Sequence, residues 1–151
     1  MTLKGEKAPV FKLADNGDSQ ISFPGGKPAV LYFYPKDSTP GCTVEANDFS
    51  GLKDQFASEN TIILGASKDS QKRHQNFINK QELTISLLSD ESGKLCEDYG
   101  VWILKKMYGK EYMGIERATF LIDGDGVLQN MWRKVKVKGH AEAVLDAVKA
   151  L

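Results

Sequence analysis

The sequence predicts an α/β fold, a sandwich in which a mixed central sheet is flanked by helices. Three observations carry that reading. Short runs rich in branched and aromatic residues alternate with stretches of helical spacing. The last two such runs are joined by an Asp-Gly turn, and the C-terminal stretch is the clearest amphipathic helix of the chain. The length of 151 residues, with 41% hydrophobic and 26% charged, suits one globular domain spanning residues 1–151.

In chain order, residues 29–34 (AVLYFY) form the first strand, short and bounded by turn formers. Residues 40–56 follow as a helix with apolar positions at Val44, Phe49, Leu52 and Phe56. Residues 61–66 (TIILGA) are the second strand, 70–80 a shorter helix, 84–88 (TISLL) a weaker strand candidate, and 93–99 another short helix. Residues 118–122 (ATFLI) and 127–133 (VLQNMWR) are strands joined by Asp123-Gly124-Asp125-Gly126. That turn resembles the start of a calcium loop, but the later ligands are missing, and a plain hairpin is the better reading. The KVKVK run at 134–138 reads as the solvent face of a strand with Val135 and Val137 turned inward. The final helix, 141–151, places Ala141, Val144, Leu145, Val148 and Leu151 on one face.

Twenty basic and twenty acidic residues cancel. Nucleic acid and anionic membrane surfaces are therefore excluded as obligatory partners, because neutralising phosphates needs surplus Lys and Arg. No stretch has the apolar length that crosses a bilayer, and the N-terminal segment lacks the apolar core of a secretion signal. The expected location is the cytoplasm. Two cysteines are too few for a disulfide scaffold, and too few for a zinc site without histidine. In a reducing compartment a thiol is of interest for its reactivity.

The stretch that carries chemistry is LYFYPKDSTPGCTVEANDF, residues 31–49. An apolar strand runs into a Pro-bearing loop and then into a helix. Thr39 stands where an N-cap belongs, and Pro40 fits the first helical position, where its missing N–H costs nothing. Cys42 then lies in the first turn, beside unpaired backbone N–H groups and the positive end of the helix dipole. Both favour the thiolate, which is the nucleophile. A free cysteine is often only a small buried hydrophobe. The Thr cap, the Pro start and the adjacent Gly41 tip this one toward reactivity.

The run Pro35-x-x-x-Thr39-x-x-Cys42 resembles the active-site motif of peroxiredoxins. The longer string YPKDSTPGCTVEANDF is similar to the bacterioferritin comigratory protein, or peroxiredoxin Q, branch. The likeness continues in GASKDS (65–70), LLSD (87–90), YGVW (99–102), MYGK (107–110), GIERATFLID (114–123) and WRKVKVKGHA (132–141). The resemblance implies a thioredoxin-like fold and a peroxidase that reduces hydrogen peroxide and organic hydroperoxides. It implies that Cys42 becomes a sulfenic acid, that the Thr39 hydroxyl binds the peroxide, that Pro35 shields the sulfur, and that Arg117 faces the thiolate. Physical chemistry supports the set: O–O displacement develops charge on two oxygens, and a guanidinium supplies donors there. Glu45, one turn after Cys42, reads as a complement to the helix dipole rather than an ion-pair partner.

Relatives of this branch often carry a second, resolving cysteine five residues after the first, or on the following helix. Here those positions are Asn47 and Ile78. The other thiol, Cys96, reads as a packing residue, so an external thiol such as thioredoxin, glutaredoxin or glutathione is the expected reductant. The alternatives are a two-cysteine peroxidase using Cys96, and a redox sensor or thiol relay with slow turnover. A Cys-x-x-Cys disulfide reductase is disfavoured because Thr39 stands at the first of those positions. No cofactor and no metal are expected, since no phosphate-cradling glycine motif is present and His74 and His140 read as solvated or capping residues. Trp102 and Trp132 read as core or edge aromatics, and the chain is expected to be a monomer.

Overall fold

In the computed structural model, which describes residues 3–16 and 19–151, every residue of β3 (Ala29–Phe33) is buried. Period-two alternation divides them: Leu31 and Phe33 enter one core, Val30 and Tyr32 the other. A strand buried on both faces must be central. It sits between β4 (Ile62–Ser67), which it pairs in parallel, and β8 (Ala118–Ile122), which it pairs antiparallel. With β5 (Ser86–Ser89) beyond β4 and β9 (Leu128–Trp132) beyond β8, the five strands run in the order β5-β4-β3-β8-β9. The mixed sheet is the one expected from the sequence.

One face is covered by α1 (Pro40–Gly51), α2 (Lys53–Ser58), α3 (Gln71–Gln81) and α5 (His140–Lys149), through Phe49, Phe56, Phe77 and Val144. The other carries α4 (Lys94–Asp98), Tyr99, and the hairpin of β1 (Phe11–Ala14) and β2 (Gln20–Phe23). A second hairpin, β6 (Trp102–Met107) with β7 (Lys110–Ile115), forms its own two-stranded sheet. Gly65 in β4 is required by packing, because a Cβ there would lie 2.7 Å from Leu87 and 2.8 Å from the Tyr32 ring. The Tyr32 ring in turn stacks on Phe49 at 4.7 Å.

Several expectations need correction. The helix expected over 40–56 is two helices, parted at Leu52 (φ −103°, ψ 4°) directly after Gly51, a poor helix former. Val44 is exposed rather than apolar core; the buried face runs Cys42, Glu45, Ala46, Phe49. The KVKVK run is not a strand: Lys134 adopts φ 49° and breaks the extension of β9, although Val135 and Val137 are still less exposed than the lysines. Neither hairpin outside the main sheet was anticipated. The turn of the β6–β7 hairpin is Tyr108-Gly109, both at positive φ (51° and 76°). A tyrosine in that place hides the Asn-Gly or Asp-Gly signature that usually betrays such turns.

Candidate active site

Cys42 is the third residue of α1 and is 2% exposed. Its sulfur faces Arg117, whose Nη2 lies 3.3 Å from Sγ. The register of the central sheet makes this meeting. Phe33 pairs with Ala118, so the residue preceding β8 arrives beside the loop that leaves β3. Gly41 leaves room for the guanidinium: a Cβ at that position would sit 3.2 Å from Arg117 Nη2.

Arg117 is shared with a second anion. Its Nη1 donates to Glu45 Oε1 at 2.6 Å, and the Glu45 side chain is buried while its Oε2 has no hydrogen-bond partner among the described residues. Glu45 is therefore an ion-pair partner, not a solvent-facing complement to the helix dipole. Its position three residues after Cys42 and four before Phe49 placed it on the buried face, and that spacing was the signal for a partner. Burial pushes the Glu45 carboxyl up to about 7 while Arg117 pulls it down. Burial works against the charge on Arg117, but Glu45 and Cys42 outweigh it and hold the guanidinium above its ordinary value. Lys105 on β6 is lowered by burial and by Arg117.

Thr39 is the N-cap residue of α1 by position, yet its side chain makes no cap bond. Its hydroxyl donates to the Lys36 carbonyl at 2.9 Å, while its own carbonyl accepts from the Thr43 N–H at 2.9 Å and the Thr43 hydroxyl at 2.7 Å. The hydroxyl oxygen keeps lone pairs for a ligand. Pro35 lines a groove of about 390 Å³ with Lys36, Lys105 and Tyr112. Cys42 and Arg117 are not among that groove's walls, so its place beside the site comes from Pro35 and Lys105 alone.

Both histidines are buried, contrary to expectation. His74 projects from α3 with Phe77 and Ile78 at i+3 and i+4, a spacing that marked it as inward-facing. Its Nδ1 lies 2.6 Å from Asp37 Oδ2 and its Nε2 2.9 Å from the Leu88 carbonyl. Asp37, Asp69 and His74 bring metal-ligand atoms within 4.8 Å of one another. Ligands about 2.0–2.2 Å from a common tetrahedral ion would stand well beyond 2.6 Å apart, so this contact is a hydrogen bond. His140 opens α5 after the N-cap Gly139; its Nε2 lies 2.7 Å from Thr119 Oγ1. Burial, reinforced by Arg117, pushes its ring down to about 4. Trp102 and Trp132 are half-buried, and Lys68 lies over the Trp102 ring at 4.3 Å.

The two cysteines are both free and lie on opposite sides of the sheet, Cys42 in the core beneath α1 and Cys96 in the core beneath α4. Asn47 is exposed on α1 and its amide donates to Gln81 at the end of α3. Ile78 packs against the same core as Cys42.

The model of the AhpC/TSA family matches residues 4–131. The chain is 51% identical to peroxiredoxin Bcp of Bacillus subtilis, over 99% of this chain and 97% of that protein. It is 48% identical to a putative peroxiredoxin bcp of Coxiella burnetii, over 93% and 95%. Among solved structures, peroxiredoxin Q of Xanthomonas campestris superposes with a TM-score of 0.88 at 48% identity, covering 93% of this chain and 90% of the other. A cysteine mutant of PrxQ from Xylella fastidiosa gives 0.94 at 39% identity, covering 99% and 97%. A further X. campestris structure concerns the alkyl peroxide reduction activity of its bacterioferritin comigratory protein.

Proposed function

The chain belongs to the AhpC/TSA family and, within it, to the Bcp/PrxQ peroxiredoxins, thiol-dependent peroxidases that act on hydroperoxides; on that premise we propose that Cys42 is the nucleophile that attacks the peroxide and that an external thiol restores it. The observation that carries this reading is the 3.3 Å approach of Arg117 Nη2 to a sulfur held in the first turn of α1. The Cys42 thiolate attacks the terminal peroxide oxygen. An S–O bond forms, the O–O bond breaks, and the alkoxide or hydroxide that leaves is protonated to alcohol or water. Arg117 donates to the developing charge, and Glu45 fixes the plane of the guanidinium. The Thr39 oxygen accepts from the peroxide hydroxyl, and Pro35 shields the sulfur from solvent.

Recycling consumes two thiols. The first condenses with the sulfenic acid, releasing water and leaving a mixed disulfide; the second displaces Cys42 as a thiol and departs in an oxidised disulfide. Thioredoxin, glutaredoxin and glutathione all supply that chemistry. The separation of Cys42 and Cys96 by the sheet supports this route over an internal disulfide, because a bond requires Cα atoms within about 7 Å. We place the protein in the cytoplasm as a monomer. Among the described residues no helix is long and apolar enough to cross a membrane.

Intact-mass analysis after one equivalent of peroxide, with a sulfenic-acid trap present, tests the reading. An adduct on Cys42 with Cys96 still free is the expected result. A recovered Cys42–Cys96 peptide overturns external recycling, and an adduct on Cys96 overturns the choice of nucleophile.

A further inference from the structure

The loop between β3 and α1 is tied down by a buried polar network that the chemistry above does not use. Asp37, 3% exposed, accepts from the Tyr34 hydroxyl at 2.5 Å through Oδ1 and from His74 Nδ1 at 2.6 Å through Oδ2. The other nitrogen of His74 donates to the Leu88 carbonyl on β5 at 2.9 Å. Each ring nitrogen thus faces an oxygen, and the ring is clamped between the Asp37 carboxyl and the Leu88 carbonyl. The Asp37 N–H donates to Asp69 Oδ2 at 2.9 Å. Asp69 is itself held by the Ser67 hydroxyl at 2.7 Å and by Arg73 Nε at 3.2 Å. Apart from Tyr34, which follows β3, the partners lie on β4, β5, α3 or the segment between β4 and α3, so a loop of the active site is bolted to the far half of the sheet.

What the bolt secures is the next residue. Ser38 adopts φ 64°, a left-handed conformation that side chains other than glycine rarely take. Thr39 follows at once, then the helix start that carries Cys42. The turn at Ser38 therefore sets where the Thr39 hydroxyl lies and how the start of α1 presents Cys42 to Arg117. A non-glycine residue keeps such a conformation only where its surroundings over-determine it. Here those surroundings are the Thr39 hydroxyl's bond to the Lys36 carbonyl across the turn and the anchors on Asp37, one residue before it, which alone tie the turn to the rest of the fold.

We propose that His74 and Asp69 are positioning residues for the peroxidase reaction: through Asp37 they hold the left-handed turn at Ser38, and with it the alignment of Thr39 and Cys42 against Arg117. The inference rests on the reading of Cys42 as the nucleophile.

Two amides at position 74 separate anchoring from simple packing. The asparagine amide nitrogen takes the place of Nδ1 and can still donate to Asp37, whereas that of glutamine takes the place of Nε2 and reaches only the Leu88 carbonyl. The rate constant for peroxide attack should fall about tenfold or more in His74→Gln and much less in His74→Asn, because misplacement of reacting groups is penalised steeply. Alkylation of Cys42 by iodoacetamide, which needs no alignment with Thr39, should hold or rise in both. Ser38→Gly, which makes the turn free of strain, should restore much of the lost peroxide rate in His74→Gln. If His74→Gln does not fold, Asp69→Ala, which removes the acceptor of the Asp37 N–H, should show the same split between peroxide and alkylation. Equal rates in the two amide variants, parallel loss of both reactions, no recovery with Ser38→Gly, or failure of both His74→Gln and Asp69→Ala to fold would each overturn the assignment. Turnover surviving in Cys42→Ser would instead remove the nucleophile reading on which the inference rests.

Discussion

Cys42 and Cys96 occupy matching places on the two sides of the sheet. Each is buried, and each is the third residue of a helix, Cys42 in α1 and Cys96 in α4. They differ in what faces them. Cys42 meets the Arg117 guanidinium. At the start of α4 the Asp90 carboxylate accepts the N–H groups of Leu95 at 3.1 Å and Cys96 at 2.9 Å. The donors that could stabilise a thiolate there are already spent on a carboxylate. Burial, and after it Asp90, pushes the Cys96 thiol well above its ordinary value. A helix N-terminus alone does not make a cysteine reactive; the charge of the group already occupying it decides.

The sharpest way to break this comparison is to remove each sulfur in turn. Cys42→Ser should abolish peroxide consumption measured with excess dithiothreitol, and Cys96→Ser should retain most of it. Equal losses would mean that the two sites are not distinguished by their partners. Arg117→Met comes next in size. It removes the charged donor that lies against the sulfur while keeping most of the side chain's bulk. One such donor is worth about 3 kcal/mol of barrier, or about a hundredfold in rate. Stopped-flow measurement of peroxide attack checks it, and a rate like that of the parent protein would remove Arg117 from the site.

How much of this was legible in the sequence follows from which residues act locally. The segment Thr39-Pro40-Gly41-Cys42 encodes its own geometry, a capping position, a Pro start and a thiol in the first turn, and the structure has all four in those positions, with the Thr39 hydroxyl turned back to Lys36 instead of capping the helix. Strand 118–122 was found in full because continuous apolar runs mark strands buried on both faces. The ion pair of Arg117 with Glu45 and the His74–Asp37 pair were not found, since their partners lie 72 and 37 residues apart in the chain. Their burial was visible, however. Glu45 and His74 each stand at helical spacing from a core phenylalanine, and the apolar face of α1 runs in phase with Cys42 rather than Val44. The β6–β7 hairpin was missed because its strands carry Lys105, Lys106 and Glu111 and bury few residues completely.

Two smaller changes sharpen the role assigned to the surroundings of Arg117. Glu45→Gln keeps an acceptor for Nη1 but removes the counter-charge, and Gly41→Ala presses a methyl group toward Nη2. Neither touches the sulfur. Each should slow peroxide attack by about tenfold, or about 1.4 kcal/mol, by letting the guanidinium move. Unchanged rates in both would show that Arg117 holds its place without them.

The smallest effect tests whether the positive field on the Cys42 side reaches past the sulfur. His140 packs edge-on against Phe49 of α1 and Trp132 of β9, and burial, with Arg117 adding to it, lowers its ring from 6.5 to about 4. The unfolded chain then takes up a proton below about pH 6.5 that the folded chain refuses until about pH 4. Stability from this group is complete above pH 6.5 and is lost as pH falls through about 4. Glu45, raised to about 7, acts in the opposite sense: its contribution is complete below about 4.5 and is lost as pH rises through about 7. The two windows overlap, so the net Tm profile of the parent protein would mask both. The measurement is therefore the difference in Tm between the parent and His140→Gln at each pH from 4 to 7, since glutamine carries no charge in either state. That difference should shift steadily against the parent as pH falls. In the Arg117→Met background the shift should be smaller, because one of the two causes of the lowered histidine has gone. A difference that stays flat with pH would show that His140 is not held neutral by the fold, and a shift of the same size in both backgrounds would confine the influence of Arg117 to the sulfur and Glu45.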